Sequence, residues 1–142
     1  MRIAVCDDEQ RIGFVLEEYL REWFDQKELE QPEYSYYSSG EALLEDSKNV
    51  DIAFLDVRMD GISGIETGRR LKKENPDVII FMETSYLEYL DDAMRFHVFR
   101  YLTKPIEKDR LFRNMDDAIR QYRNIQNAHR KIPVKSQDEV YM

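Results

Sequence analysis

The stretch "IAFLDVRMDGISG", residues 52–64, runs four apolar residues straight into Asp56 and then into Asp60, Gly61, Ser63 and Gly64, which are turn and helix-start residues. A strand that is apolar without alternation is covered on both faces, as in a parallel sheet flanked by helices. This one ends on a carboxylate that a glycine-bearing turn leaves open. Something must therefore be delivered to Asp56.

Outward from this stretch the same grammar repeats. "RIAVCDDE" (2–9) is a short apolar strand ending in Asp7 and Asp8, "DVIIFMETS" (77–85) is another, and "VFRYLTKP" (98–105) is a last strand stopped by Pro105. "EYSYYSS" (33–39) is aromatic and strand-like. Between the strands, Ile12, Val15, Leu16, Tyr19, Leu20, Trp23 and Phe24 fall at helical spacing. "SGEALLED" reads as a helix start, and "SGIETGRRLKKENP" as a helix closed by Asn75 and Pro76. "YLEYLDDAMRFH" puts Leu90, Ala93, Met94 and His97 on one face. A long helix runs from Glu107 to about Asn127, with Leu111, Met115, Ala118, Ile119 and Tyr122 as its inner stripe. Strand and helix alternate five times. This predicts an α/β fold, a doubly wound five-stranded parallel sheet in three αβα layers with right-handed crossovers. Ligands bind such sheets beyond the carboxyl ends of the strands. Asp7, Asp8, Asp56, Thr84 and Lys104 all stand there and are expected to crowd one rim.

The chemistry follows from that crowding. Three carboxylates repel one another, and burial raises the cost. A divalent cation relieves it, and Mg²⁺ accepts one or two carboxylates beside several waters. Lys104 sets a fixed positive charge opposite, and Thr84 adds a hydroxyl donor. Together they form a cradle for a phosphoryl group, with Asp56 attacking in line to give an acyl phosphate.

The chain resembles the receiver domain of a bacterial two-component response regulator. The likeness covers about residues 2–125 and is carried by "CDDE", "FLDVRMDGISGIE", the "TS" after "VIIFM", and "YLTKPI". It implies a flavodoxin-like sheet of order 2-1-3-4-5, with Asp56 as the phosphorylated aspartate. It implies Asp8, Asp56 and the backbone carbonyl of Arg58 as direct Mg²⁺ ligands, with Asp7 acting mostly through water and Mn²⁺ able to substitute. It further implies Thr84 and Lys104 as binders of the phosphoryl oxygens, Thr84 and Tyr101 as the switch pair, and a sensor histidine kinase as donor. Dimerisation is expected through the face made by the fourth helix, fifth strand and fifth helix. "TSYLEYLDDAMRFHVFRYLTKPI" resembles regulators with a LytTR-type DNA-binding output. The expected organisation is a receiver at 1–125. At 126–142 a linker would lead into the cut-off start of that output domain, where "RKIPVKSQDEVYM" reads as strand, turn and strand.

Two positions depart from this pattern. Asp60 stands where the loop after the phosphoacceptor often carries proline, placing a fourth acid nearby. Glu83 interrupts an apolar strand. Its neighbour Thr84 is expected to face the site, so Glu83 is expected to point the other way, partly exposed or paired.

Composition bounds the rest. The 142 residues fit one domain with little left over, and 42% apolar against 35% charged residues predicts a water-soluble globular chain. A net charge of −8 disfavours nucleic-acid contact, so DNA would be met only through the further domain. Cys6 is the single cysteine and cannot form an internal disulfide, which favours the cytoplasm; it is expected simply to pack. No run approaches a membrane span. Read blandly, Asp7 and Asp8 are strand-end turn residues, Lys104 an exposed lysine, Tyr101 a core residue, His97 a packing histidine and His129 a solvated one. The Tyr34, Tyr36, Tyr37 cluster reads as strand packing. Two other functions stay open. A Mg²⁺-dependent phosphohydrolase with an aspartate nucleophile would want an aspartate where Arg58 stands. A pseudo-receiver binding module would be expected to lack one of Asp8, Asp56, Thr84 or Lys104. A flavin site fails for want of a Ser/Thr/Gly phosphate loop after the first strand. A switch with no external substrate is the expected role.

Overall fold

The computed structural model describes residues 1–85 and 97–131. The helix expected over "YLEYLDDAMRFH" and the strands expected after residue 131 lie outside the described residues. The described elements are β1 (Arg2–Cys6), α1 (Gln10–Gln26), β2 (Glu33–Tyr37), α2 (Gly40–Leu44), a 3₁₀ turn (Ser47–Asn49), β3 (Ile52–Asp56), α3 (Gly64–Glu74), β4 (Ile79–Thr84), β5 (Arg100–Thr103) and α4 (Lys108–Lys131).

The five strands form one parallel sheet in the order β2-β1-β3-β4-β5, as expected. Unbroken apolar strands demand cover on both faces, and the two cores show it. Ile3, Val5, Ile52, Phe54, Ile79, Phe81 and Leu102 pack beneath Leu16, Leu20, Trp23 and Phe24 of α1 and Leu111, Met115 and Ala118 of α4. Ala4, Cys6, Ala53, Leu55, Ile80 and Met82 pack on the other side beneath Leu43 of α2 and Ile65 and Leu71 of α3. Each strand sends alternate side chains to the two cores, as a pleated strand must. Phe54 and Phe81 stack with centroids 4.5 Å apart where β3 meets β4.

Helix starts follow local chemistry. The Ser39 side chain accepts from the Ala42 N–H, and that of Ser63 from the Glu66 N–H, each capping a helix. On α1 the buried stripe uses Gly13 rather than Val15. Gly13 lies against the Tyr36 ring, where an added Cβ would meet it at 2.8 Å, while Phe14 and Val15 face outward. The last helix outruns its expected end at Asn127 and reaches Lys131, because no glycine or proline interrupts it before Pro133. On this extension His129 Nε2 lies 2.7 Å from Asp77 Oδ2, so the histidine is paired as well as exposed. His97, expected to pack, is exposed.

Candidate functional site

The rim is built by strand ends. Asp56 is the last residue of β3, and Asp7 and Asp8 follow β1. Thr84 closes β4 and Lys104 follows β5. The sequence expects these five on one rim; the structure clusters the side chains of Asp7, Asp8, Asp56 and Lys104 and joins Thr84 to them through its backbone carbonyl. Lys104 Nζ lies 3.1 Å from Asp56 Oδ2 and 3.2 Å from Asp7 Oδ2, bridging the two acids. Asp7 is fully buried, and its Oδ1 accepts from the Glu9 N–H at 2.8 Å. Both its oxygens are thus engaged. Asp8 is exposed, and its Oδ2 accepts from the Asp60 N–H at 3.3 Å. Asp56 Oδ1 accepts from the Arg58 N–H at 3.3 Å. Thr84 is buried, and its carbonyl accepts from the Lys104 N–H at 3.0 Å. Tyr101 is half-buried against the core under α2 and α3.

The turn after Asp56 explains its glycines. Gly61 has φ +81°, a conformation that side chains disfavour. At Gly64 an added Cβ would lie 1.8 Å from the Asp56 carbonyl oxygen, so α3 can start this close to β3 only without a side chain there.

Asp7, Asp8 and Asp56 each offer one carboxylate oxygen, all within 4.8 Å of one another. Burial, and then the charge of Asp7, push the Asp56 carboxyl up to about 6, while Lys104 pulls it back. Burial alone would lower the Lys104 ammonium, but Asp56 and Asp7 outweigh it and raise it. Three acids thus face one lysine, in a set of hard oxygen donors. The residues fit a hard divalent cation such as Mg²⁺.

Glu83 corrects the sequence reading. It is fully buried, and neither carboxyl oxygen has a hydrogen-bond partner among the described residues. It is not exposed, and among the described residues it is not hydrogen-bonded. The ladder explains why. Asp56 is the register partner of Glu83, so both side chains leave the sheet on the same face, shared by Phe54 and Phe81. Burial first, then Asp7, push its carboxyl up to about 8.

Tyr36 does more than the strand packing expected of it. Its hydroxyl also donates to the Asp7 carbonyl at 2.5 Å and so braces the acidic turn. Strand alternation puts Tyr36 on the face of its register partner Val5, a signal available once the β1–β2 pairing is known. Cys6 is buried and lies 3.6 Å from the Met59 sulfur, and burial pushes its thiol up to about 12, so it is no nucleophile. Among the described residues no helix is long and apolar enough to cross a membrane.

Comparison with known proteins agrees with this geometry. Residues 3–116 match the family described as response regulator receiver domain. The chain is similar to the sensory transduction protein LytT of Bacillus subtilis, 29% identical over 91% of this chain and 54% of that protein. It therefore spans about half the length of that relative. Among solved structures it is similar to the response regulator TrrA from Thermotoga maritima in complex with Mg(2+)-BeF, with TM-score 0.69 and 32% identity over 82% of this chain and 97% of that one. The chemotaxis protein CheY4 of Vibrio cholerae shares the fold, with TM-score 0.70 and 17% identity over 82% of this chain and 97% of that one.

Proposed function

Because the chain belongs to the family of response regulator receiver domains, we propose that it is a phosphoacceptor switch whose Asp56 takes a phosphoryl group from a phosphohistidine on a sensor histidine kinase. The observation that carries this is the Lys104 ammonium held 3.1 Å from Asp56 and 3.2 Å from Asp7 at the open end of the sheet. An Asp56 oxygen attacks phosphorus in line. The P–N bond breaks, the imidazole nitrogen leaves with the electron pair and takes up a proton, and Asp56 becomes an acyl phosphate. Lys104 and the Thr84 hydroxyl hold the phosphoryl oxygens. Asp8, Asp56 and the Arg58 carbonyl hold Mg²⁺, or Mn²⁺ in its place. Asp7, with both oxygens already engaged, acts through water. The metal, when bound, neutralises charge that builds on the phosphoryl oxygens.

Phosphorylation adds charge that biases a two-state element. Thr84 moves toward the phosphate and Tyr101 repacks. The face to which β5 and α4 contribute then changes its preference for a partner, a second copy included. The receiver comprises residues 1–125. The stretch 126–142 leads to an output domain of LytTR type, and DNA is contacted there, because the present chain carries a net charge of −8. The chain covers only 54% of LytT, so that relative has further length in which an output domain can lie. The protein works in the cytoplasm and has no external substrate.

Phosphotransfer tests the proposal. Label on the histidine of a phosphorylated kinase domain should move to the wild-type chain in the presence of Mg²⁺ and should not move to Asp56→Asn. Label on the Asn variant would place the acceptor elsewhere, and no transfer from any kinase would favour a phosphate-independent binding module.

A further inference from the structure

Among the described residues, the two carboxyl oxygens of Glu83 are the only buried side-chain nitrogen or oxygen atoms without a hydrogen-bond partner. Native proteins seldom leave such atoms unsatisfied, and a case beside a reactive centre calls for a cause. The place of Glu83 in the sheet supplies one. β4 lies between β3 and β5. Lys104 follows β5, and its backbone N–H donates to the Thr84 carbonyl. To reach Asp56 on β3 and Asp7 beyond β1, its side chain must cross β4. Glu83 pairs in register with Asp56 on one side and Leu102 on the other. Lys104 stands one residue past the end of β5 and two past Leu102, so the alternation of β5, carried one residue further, turns it to the face of Leu102 and Glu83. The lysine stem therefore crosses β4 at its carboxyl end, just beyond Thr84 and next to the strand position that Glu83 occupies.

We infer that Glu83 is a second seat for the Lys104 ammonium: when a divalent cation loads the Asp7–Asp8–Asp56 cluster, Lys104 withdraws from Asp7 and Asp56 and donates to the Glu83 carboxyl. This rests on the receiver reading of the cluster. An ammonium and a divalent cation compete for the same carboxylates, because like charges repel strongly where water is scarce. With an apolar residue at position 83, the displaced ammonium would lose its buried partners, and the cation would bind against that cost. Glu83 gives it an acceptor close to its own strand. Once a phosphoryl group reaches Asp56, its oxygens draw the ammonium back. Glu83 is in this sense a positioning residue that acts through Lys104.

A double-mutant cycle read by Mg²⁺ binding separates this from a plain effect of negative charge. The 142-residue chain is titrated with Mg²⁺ in four forms: wild type, Glu83→Leu, Lys104→Met and the double variant. Glu83→Leu should weaken Mg²⁺ binding roughly tenfold, the scale on which outer partners of a metal site act. In the Lys104→Met background the same change should shift affinity by less than about twofold. Glu83→Gln keeps an acceptor oxygen and should recover part of the loss, which also covers any misfolding of the Leu variant. The ¹⁵N resonance of Lys104 Nζ should move on Mg²⁺ addition in wild type in a way that Glu83→Leu abolishes. Equal losses in both backgrounds would reduce Glu83 to a nearby charge and overturn the second seat, as would no loss in either. Absence of Mg²⁺ binding by the wild type would instead overturn the receiver reading of the cluster, and the second seat with it.

Discussion

Glu83 and Asp56 are acids that titrate late for one physical reason, burial beside Asp7. Their carboxyls stand at about 8 and about 6, whereas in an unfolded chain both ionise near pH 4. Over the interval between, the unfolded state gives up protons that the folded state retains. The stability they confer is complete below about pH 4 and is lost as pH rises through about 6 and then about 8. The metal-free protein should therefore melt at progressively lower temperature from pH 5 to 9. Glu83→Gln should flatten the upper part of that slope by about 5 °C or more. Thermal unfolding followed by circular dichroism at each pH checks this, and identical slopes for the two proteins would contradict it. The same residue shows the limit of sequence reading. Asp7, Asp8, Asp56 and Lys104 were legible because each follows an apolar run, and a strand end is visible in sequence. The side to which Glu83 points depends on pairing Asp56 with Glu83 across the ladder, and register is a tertiary fact. The Tyr36 hydroxyl on the Asp7 carbonyl was hidden for the same reason.

Among the elements, the unit that presents Asp56 is β3, its turn and the start of α3. Gly64 donates its N–H to the Val57 carbonyl at 2.9 Å, and an added Cβ would strike the Asp56 carbonyl oxygen and the Val57 Cα, both backbone atoms. Backbone cannot swing aside as a flexible side chain can. Gly64→Ala should cost about 1–3 kcal/mol, the usual range for overpacking, and should lower the denaturant midpoint without changing the slope of the transition. A midpoint unchanged from wild type would mean that α3 can lift off β3 freely. Element type was readable from apolar spacing throughout the described residues, because each helix buries one stripe and each inner strand both faces. Ends were less so. Asn127 carries no stop signal, and α4 continues to Lys131, where the His129–Asp77 pair ties it to the chain just before β4. On α1 the choice of Gly13 over Val15 for the inner face follows from the Tyr36 ring on β2, a neighbour that the helix's own pattern does not reveal.

At the scale of the molecule, sheet order and connection put every charged strand end on one rim and leave the two apolar cores on either side of it. The order 2-1-3-4-5 came from the family likeness carried by "CDDE", "FLDVRMDG" and "YLTKPI"; periodicity alone gave only alternation. The central claim is that this rim exists to make Asp56 a phosphoryl acceptor. Intact mass after treatment with a small phosphodonor tests it most directly, because it needs no partner protein. With Mg²⁺ the wild-type chain should gain about 80 Da, one phosphoryl group on one acceptor side chain, and without Mg²⁺ the gain should be slow or absent. Asp56→Asn should gain nothing under the same conditions. A wild-type chain that stays unmodified, or an Asp56→Asn chain that still takes up about 80 Da at Asp7 or Asp8, would contradict the account.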